Sequence, residues 1–207
     1  GIAGLMGSGR TELVMTLFGE YAKISRGKIR LEGREITVRN SREAMQHGIS
    51  LVPEDRKQHG LVLMQSILRN ISLANLDRFS SFIRIDDLAE LKESMEFAQS
   101  LSIKAPNLHA AADSLSGGNQ QKVVVGKWLA TLPRVLIVDE PTRGIDVGAK
   151  AEIHRLMSEL AQQGLAILMI SSELAGVVGM SDRVLVMREG RLVAEFPRAD
   201  ATQENIG

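Results

Sequence analysis

Gly4-Leu5-Met6-Gly7-Ser8-Gly9-Arg10-Thr11 follows a short apolar segment, Gly1-Ile2-Ala3, and opens a helix-forming stretch that runs from Gly9 to about Phe18. Strand, glycine-rich turn, helix is the order of the phosphate-loop pattern G-x-x-x-x-G-K-[ST]. Arg10 stands where that pattern has lysine. Gly4, Gly7 and Gly9 let the backbone wrap so that successive N–H groups, with Ser8 among them, face an anion. The helix N-terminus adds partial positive charge. Thr11 offers a hydroxyl to a magnesium ion held between phosphates. A glycine-rich turn without a ligand would look the same in isolation. A guanidinium is larger and more planar than an ammonium, so Arg10 is expected to attract phosphate but to support hydrolysis poorly.

Working outward, short apolar runs alternate with amphipathic stretches of helical length, which predicts an α/β fold with a mostly parallel sheet. Strands are expected at Lys28 to Leu31, Glu35 to Val38, Ile49 to Val52, Val135 to Val138 and Leu165 to Ile170. Arg183 to Met187 and Arg191 to Phe196 read as a hairpin around Glu189-Gly190. Helices are expected at Ser41 to His47, Gly117 to Thr131, Gly148 to Gln163 and Glu173 to Val178. Between about 63 and 116 the pattern is helical with few strand signals, as for a lobe inserted into the α/β core. The opening residues look like the end of a buried strand, and the chain is expected to be a fragment of a longer protein.

Composition bounds the function. The 207 residues carry 25 Lys plus Arg and 25 Asp plus Glu, so charge gives no argument for nucleic acid or an anionic membrane surface. No cysteine is present, which excludes disulfides and thiolate metal sites. No apolar run approaches the roughly 20 residues that cross a bilayer; a membrane role would need a partner that supplies the crossing. Tyr21, Trp128 and the nine methionines are expected to pack in the core or the lobe.

Two further stretches carry chemistry. The most apolar strand ends in Asp139-Glu140-Pro141-Thr142. A carboxylate at the end of a central parallel strand sits beside the first loop. Asp139 can hold magnesium, and Glu140 can polarise the water that attacks a γ-phosphate. A solvated acidic strand end is the plainer alternative. Leu115-Ser116-Gly117-Gly118-Asn119-Gln120-Gln121-Lys122 starts a helix with a serine and two glycines, a second anion-binding terminus or simply a capped helix start.

Together, the phosphate loop, the L-S-G-G run and the apolar strand with D-E-P-T resemble the ATPases of ABC transporters. The P-loop NTPase core with an inserted helical lobe is the fold this resemblance implies. The run Val52 to Lys57 (V-P-E-D-R-K), Asp139 to Ala149 (D-E-P-T-R-G-I-D-V-G-A) and Ile170 to Leu174 (I-S-S-E-L) narrow it. They resemble the second ATPase domain of bacterial ribose-, xylose-, galactose- or autoinducer-type importers. The resemblance implies ATP and Mg2+ as ligands. It implies that Ser116, Gly117, Gly118 and Asn119 close over ATP held by the opposite domain, and that Asp146 in Gly144-Ile145-Asp146 lies at the crossing loop between the two domains. The implied partners are a tandem N-terminal ATPase domain, membrane permease subunits and, indirectly, a periplasmic sugar-binding protein, with no nucleic acid. The implied place is the cytoplasmic face of the bacterial inner membrane, held peripherally, with the lobe docked on the permease.

Three positions depart from the family pattern. Besides Arg10, Glu54 stands where a glutamine links magnesium and water to the lobe, and Ser172 where a histidine meets the γ-phosphate. Glu54 can still reach a metal but cannot donate as an amide does; it also reads as part of a charged turn. Glu140, Ser172 and Glu54 are thus the catalytic candidates, and Thr11, Asp139 and Glu54 the metal candidates. With Glu140 and the serine-glycine run intact, an asymmetric ATPase is implied, impaired at its own phosphate loop. The strands where the family places an aromatic residue against adenine are absent, so the fragment alone is expected to bind ATP weakly. The competing classes are a soluble ABC ATPase acting on ribosomes or DNA, and a regulatory half that binds nucleotide without hydrolysing it.

Overall fold

The computed structural model describes residues 1–21, 26–81 and 84–206. It divides into two compact units, Gly1–Leu51 with Arg134–Pro141 and Leu165–Gly207, and Val52–Pro133 with Thr142–Gly164. No helix among the described residues is long and apolar enough to cross a membrane.

In the first unit, β1 (Ile2–Ala3) leads through the glycine loop into α1 (Arg10–Leu17). A small antiparallel pair follows, β2 (Ile29–Leu31) and β3 (Arg34–Ile36), and then α2 (Ser41–Gln46). Asn40 starts α2 by accepting the Glu43 N–H on its side chain at 2.9 Å. The main sheet has six strands in the order β10-β9-β1-β8-β7-β4. β4 is Ile49–Val52, β7 Val135–Asp139, β8 Ala166–Ser171, β9 Arg183–Arg188 and β10 Arg191–Pro197. β1 is parallel to β8 and to β9, β7 is parallel to β8, and the β9–β10 hairpin is antiparallel.

Strands buried on both faces must be apolar throughout. The central run Leu136-Ile137-Val138 meets that demand with each residue at 1% exposure, and Ile2, Ala3, Val14, Ile170 and Val184 join it. α7 (Leu174–Met180) packs on β8 and β1, and α8 (Gln203–Ile206) packs on α7. The parallel arrangement places the carboxyl ends of β1, β7 and β8 side by side, so Gly4, Asp139 and Ser171 emerge at one edge.

The second unit is helical. A π-type turn, Arg56–Gly60, begins on Asp55, whose carboxylate accepts the N–H groups of Lys57 and Gln58. α3 (Ile67–Ser72) packs on α4 (Asp87–Ser100) and α5 (Gly117–Leu129), and α5 packs on α6 (Val147–Gln162). Their shared core is built on Ile67, Ile71, Val123, Val124 and Ile153. Glu90 is buried there because Arg69 pairs with it at 3.0 Å and the Ser72 hydroxyl donates to it at 2.5 Å. Lys122 pairs with Glu152 at 2.7 Å, tying α5 to α6.

Element boundaries match the sequence reading to within one or two residues for most strands and helices. The stretch 63–116 is less uniformly helical than expected. It contains a short antiparallel pair, β5 (Ser80–Ser81) with β6 (Arg84–Ile85), and a non-helical run after Ser102. Pro106 and the Asn107 side chain, which accepts the His109 N–H at 2.9 Å, account for that run. Tyr21 is 65% exposed and Met6 and Met64 more so, which corrects the expectation that they pack inside.

Candidate functional site

The first unit gathers Gly4, Ser8, Arg10, Thr11, Asp139, Glu140 and Ser172. The glycine loop owes its path to two residues with positive φ, Gly7 at 77° and Gly9 at 92°. It is also hemmed in from behind. A Cβ at Gly4 would lie 2.5 Å from the Met187 carbonyl oxygen, and one at Gly9 would lie 3.1 Å from Gly190 Cα. The Gly190 N–H donates to the Ser8 carbonyl at 2.8 Å, so the β9–β10 turn braces the outer wall of the loop.

Three buried polar atoms of this cluster have no hydrogen-bond partner among the described residues: Ser8 Oγ, Arg10 Nη1 and Asp139 Oδ1. Orphaned buried polar groups are rare and need a reason. Here a hydroxyl, a cationic donor and a carboxylate are left open together beside a wrapped glycine loop. Asp139 is 2% exposed. Burial pushes its carboxyl up to about 6, while the hydrogen bond from the Thr11 hydroxyl and the charge of Arg10 act the other way. A divalent cation would add counter-charge to this buried carboxylate. Thr11 and Asp139, already hydrogen-bonded, fit magnesium, which takes few protein ligands and keeps phosphate and water for the rest. No group of three or more acidic or histidine side chains suited to a dedicated metal cage exists among the described residues.

Glu140 follows Asp139 in a left-handed backbone conformation, φ 45°, held by its N–H donating to the Ile170 carbonyl. Its carboxylate is fully engaged. Oε1 lies 3.5 Å from Arg10 Nη2 and accepts the Ser172 N–H at 2.6 Å; Oε2 accepts the Ser171 hydroxyl at 3.1 Å. The Arg10 and Glu140 side chains are 7% and 10% exposed. Ser171 was not singled out from the sequence, although it lies in the I-S-S-E-L run. Ser172 meets Glu140 through its backbone rather than its hydroxyl.

The second unit gathers the serine-glycine residues and the crossing loop. Ser116 occupies the N-cap of α5, yet its hydroxyl does not cap the helix; it accepts from Asn119 Nδ2 at 3.0 Å. Asn119 Oδ1 in turn accepts the Lys104 N–H. Ser116 is exposed, and the α5 terminus carries no side-chain cap. Gly118 is buried because α6 passes over it: a Cβ there would lie 2.6 Å from Ala149 Cβ. Asp146 starts α6 by accepting the Ala149 N–H at 2.9 Å. Glu54 forms an ion pair with Arg143 in this same unit. Arg56, unnoticed in the sequence though it belongs to V-P-E-D-R-K, donates to the Arg143 carbonyl at 2.9 Å, the Gly144 carbonyl at 3.0 Å and Gln120 Oε1 at 3.4 Å.

Comparison with known proteins identifies the family and the fold. The family model described as ABC transporter matches residues 1–143. The xylose import ATP-binding protein XylG of Moorella thermoacetica is 55% identical over 206 residues, covering all of this chain. The ribose import ATP-binding protein RbsA of Rhodopirellula baltica is 51% identical over 206 residues, again covering all of it. The chain spans 41% and 40% of the length of these two relatives. Among solved structures, a nucleotide-free ATP-binding cassette from an ABC transporter superposes with a TM-score of 0.83 at 23% identity, over 99% of this chain and 82% of that one. A dimeric cassette in a post-hydrolysis state, bound to ADP and Pi, superposes with a TM-score of 0.77 at 19% identity, over 95% of this chain and 84% of that one. By the stretch that the family model covers, this chain belongs to the ABC transporter family, as an ATPase domain of such a transporter.

Proposed function

We propose that the chain is one of two tandem ATPase domains of a bacterial sugar importer, working on the cytoplasmic face of the inner membrane against permease subunits. A periplasmic sugar-binding protein would deliver the solute to the permease. The names of the xylose and ribose import relatives support the transport reading, and the 41% coverage of one of them leaves room for a second ATPase domain in the same polypeptide. The span of about 63–116 would be the lobe that meets the permease.

The observation that carries nucleotide binding is the set of open buried atoms around the glycine loop, Ser8 Oγ, Arg10 Nη1 and Asp139 Oδ1. In this reading Gly4, Gly7, Ser8 and Gly9 hold phosphate through backbone N–H groups, and Arg10 adds charge. Thr11 and Asp139 hold magnesium, which neutralises phosphate charge when bound. Glu140 orients the attacking water and accepts its proton. Ser116, Gly117, Gly118 and Asn119 serve a nucleotide seated in the tandem partner, and Asp146 lies at the domain crossing. The dimeric ADP-and-Pi cassette supports such a two-domain arrangement by fold.

The domain's own site is proposed to hydrolyse slowly. Support comes from the Arg10–Glu140 pair: a carboxylate whose two oxygens are already occupied by a guanidinium and two serine donors has less room to receive a water. The same pair favours a second reading, a nucleotide-binding regulatory half. The test is ATP turnover by the complete tandem protein with its permease. Ser116→Arg should remove nearly all of it, while Arg10→Ala should reduce it far less. The opposite ranking would overturn the asymmetry, and turnover unaffected by either change would favour the regulatory half.

A further inference from the structure

We infer that Arg56 is a positioning residue: its guanidinium clamps the loop at Arg143-Gly144 to the start of α5, and so sets where Ser116-Gly117-Gly118 meets the partner's nucleotide. The inference rests on the proposed lending of that helix start to the tandem domain.

The geometry is a fork with three tines. Arg56 Nη1 donates to the Arg143 carbonyl at 2.9 Å, Nη2 to the Gly144 carbonyl at 3.0 Å, and Nε to Gln120 Oε1 at 3.4 Å. Gln120 is 5% exposed and its own amide donates to the Ala112 carbonyl at 3.1 Å, so the third tine ends on a side chain that cannot swing away. Arg56 Nη2 also lies where a side chain on Gly117 would begin: a Cβ there would be 2.9 Å from it. The absence of a side chain at Gly117 is what lets the guanidinium plane lie against the first residue of α5.

The anchor of the fork is equally fixed. Asp55 accepts two N–H groups of the π-type turn that begins at Arg56, and these hydrogen bonds hold its carboxyl below the usual carboxylate range. The neighbouring Glu54 carboxylate grips the Arg143 side chain. Arg143 is thus held twice, by its side chain to Glu54 and by its carbonyl to Arg56. Two residues on from Gly144, Asp146 caps α6, and α6 presses Ala149 on Gly118. Arg56 therefore closes a ring: turn, loop, α6 and α5 terminus each locate the next.

Only arginine supplies three donors in one plane with this spread. A lysine can reach one or two of the acceptors but cannot hold all three. Removing the fork leaves Arg143 and Gly144 with unpaired carbonyls near the surface, where water replaces the bonds but not their geometry. Misplacement of a binding group by about 1 Å can lower a rate on the order of 100-fold.

The experiment uses the complete tandem protein with its permease, in single-turnover assays with enzyme in excess over ATP. The rate constant reports how well bound ATP is served, and the amplitude reports how much protein is active. Arg56→Ala should lower the rate constant about 10–100-fold with little change in amplitude or in the affinity for a non-hydrolysable ATP analogue. Arg56→Lys should fall between, and millimolar guanidinium should restore part of the rate of Arg56→Ala. A rate constant equal to wild type, with only the amplitude reduced, would show Arg56 to be purely structural and overturn the inference. Ser116→Arg runs beside it: if that change leaves turnover intact, the lending of this helix start is wrong, whatever Arg56 does.

Discussion

Replacing Arg10 by lysine should speed hydrolysis at this domain's own site. The Arg10 and Glu140 side chains stand 3.5 Å apart and are nearly excluded from water. At an effective dielectric constant near 20, unit charges at that distance attract by about 5 kcal/mol. Desolvating both offsets most of this, which leaves roughly 1–2 kcal/mol, or a factor of about 5–30. That is roughly what it should cost to draw the Glu140 carboxylate off the guanidinium and onto an attacking water. A lysine ammonium is a point charge suited to sit between phosphates, and it lacks the second nitrogen that reaches Glu140 Oε1. The measurement needs the site isolated. In the proposed tandem arrangement, Ser116→Arg should silence the composite site that borrows this domain's helix start, so the slow turnover that remains should belong to the site at Gly4 to Thr11. Adding Arg10→Lys in that background should raise the single-turnover rate about 5–30-fold. An unchanged or slower rate would refute the reasoning that the guanidinium holds Glu140 back.

Two further outcomes follow from packing and burial. Gly118→Val should destabilise the chain by about 1–3 kcal/mol, seen as a lower urea midpoint, because its side chain would start 2.6 Å from Ala149 Cβ and must push α5 from α6. Lys127 is buried, donates to the Gly60 carbonyl and lies 5.2 Å from the Trp128 ring centre; burial lowers its ammonium from 10.5 to about 8. The folded state therefore releases this proton before the unfolded state does, so stability gains as pH rises from about 8 to 10.5 and is flat below 8 on this account. The gain is at most about 3 kcal/mol; the wild-type minus Lys127→Met difference in unfolding free energy across that range measures it, and a flat difference would contradict it.

The framework was legible because its signals are local. A glycine loop between strand and helix, an apolar run ending in Asp139, and a Ser-Gly-Gly helix start each declare themselves within about ten residues. What escaped was pairing over distance. Nothing in the neighbourhood of Arg10 indicates that it reaches Glu140, and nothing near Arg56 points to the carbonyls of Arg143 and Gly144. Glu54 read as either a metal candidate or a charged turn; Asp55 beside it caps a π-type turn that no periodicity announced. Ser116 carries the residue type of a capping serine, yet its hydroxyl is taken by Asn119, a choice made by side-chain geometry rather than by propensity. The β5–β6 pair interrupts a helical span because two-residue strands leave almost no pattern to read.

The brace behind the glycine loop has a consequence for how the protein is made. β1, which delivers the loop, finds both of its neighbours in β8 and β9, and Gly190 closes on Ser8 from the turn beyond. During synthesis, residues 4–11 therefore emerge from the ribosome long before the strands that shape them. Contacts so distant along the chain form slowly. The glycine loop at Gly4 to Thr11 can set only after β8 and β9 have appeared, so a nascent chain stalled before residue 166 should bind no ATP there.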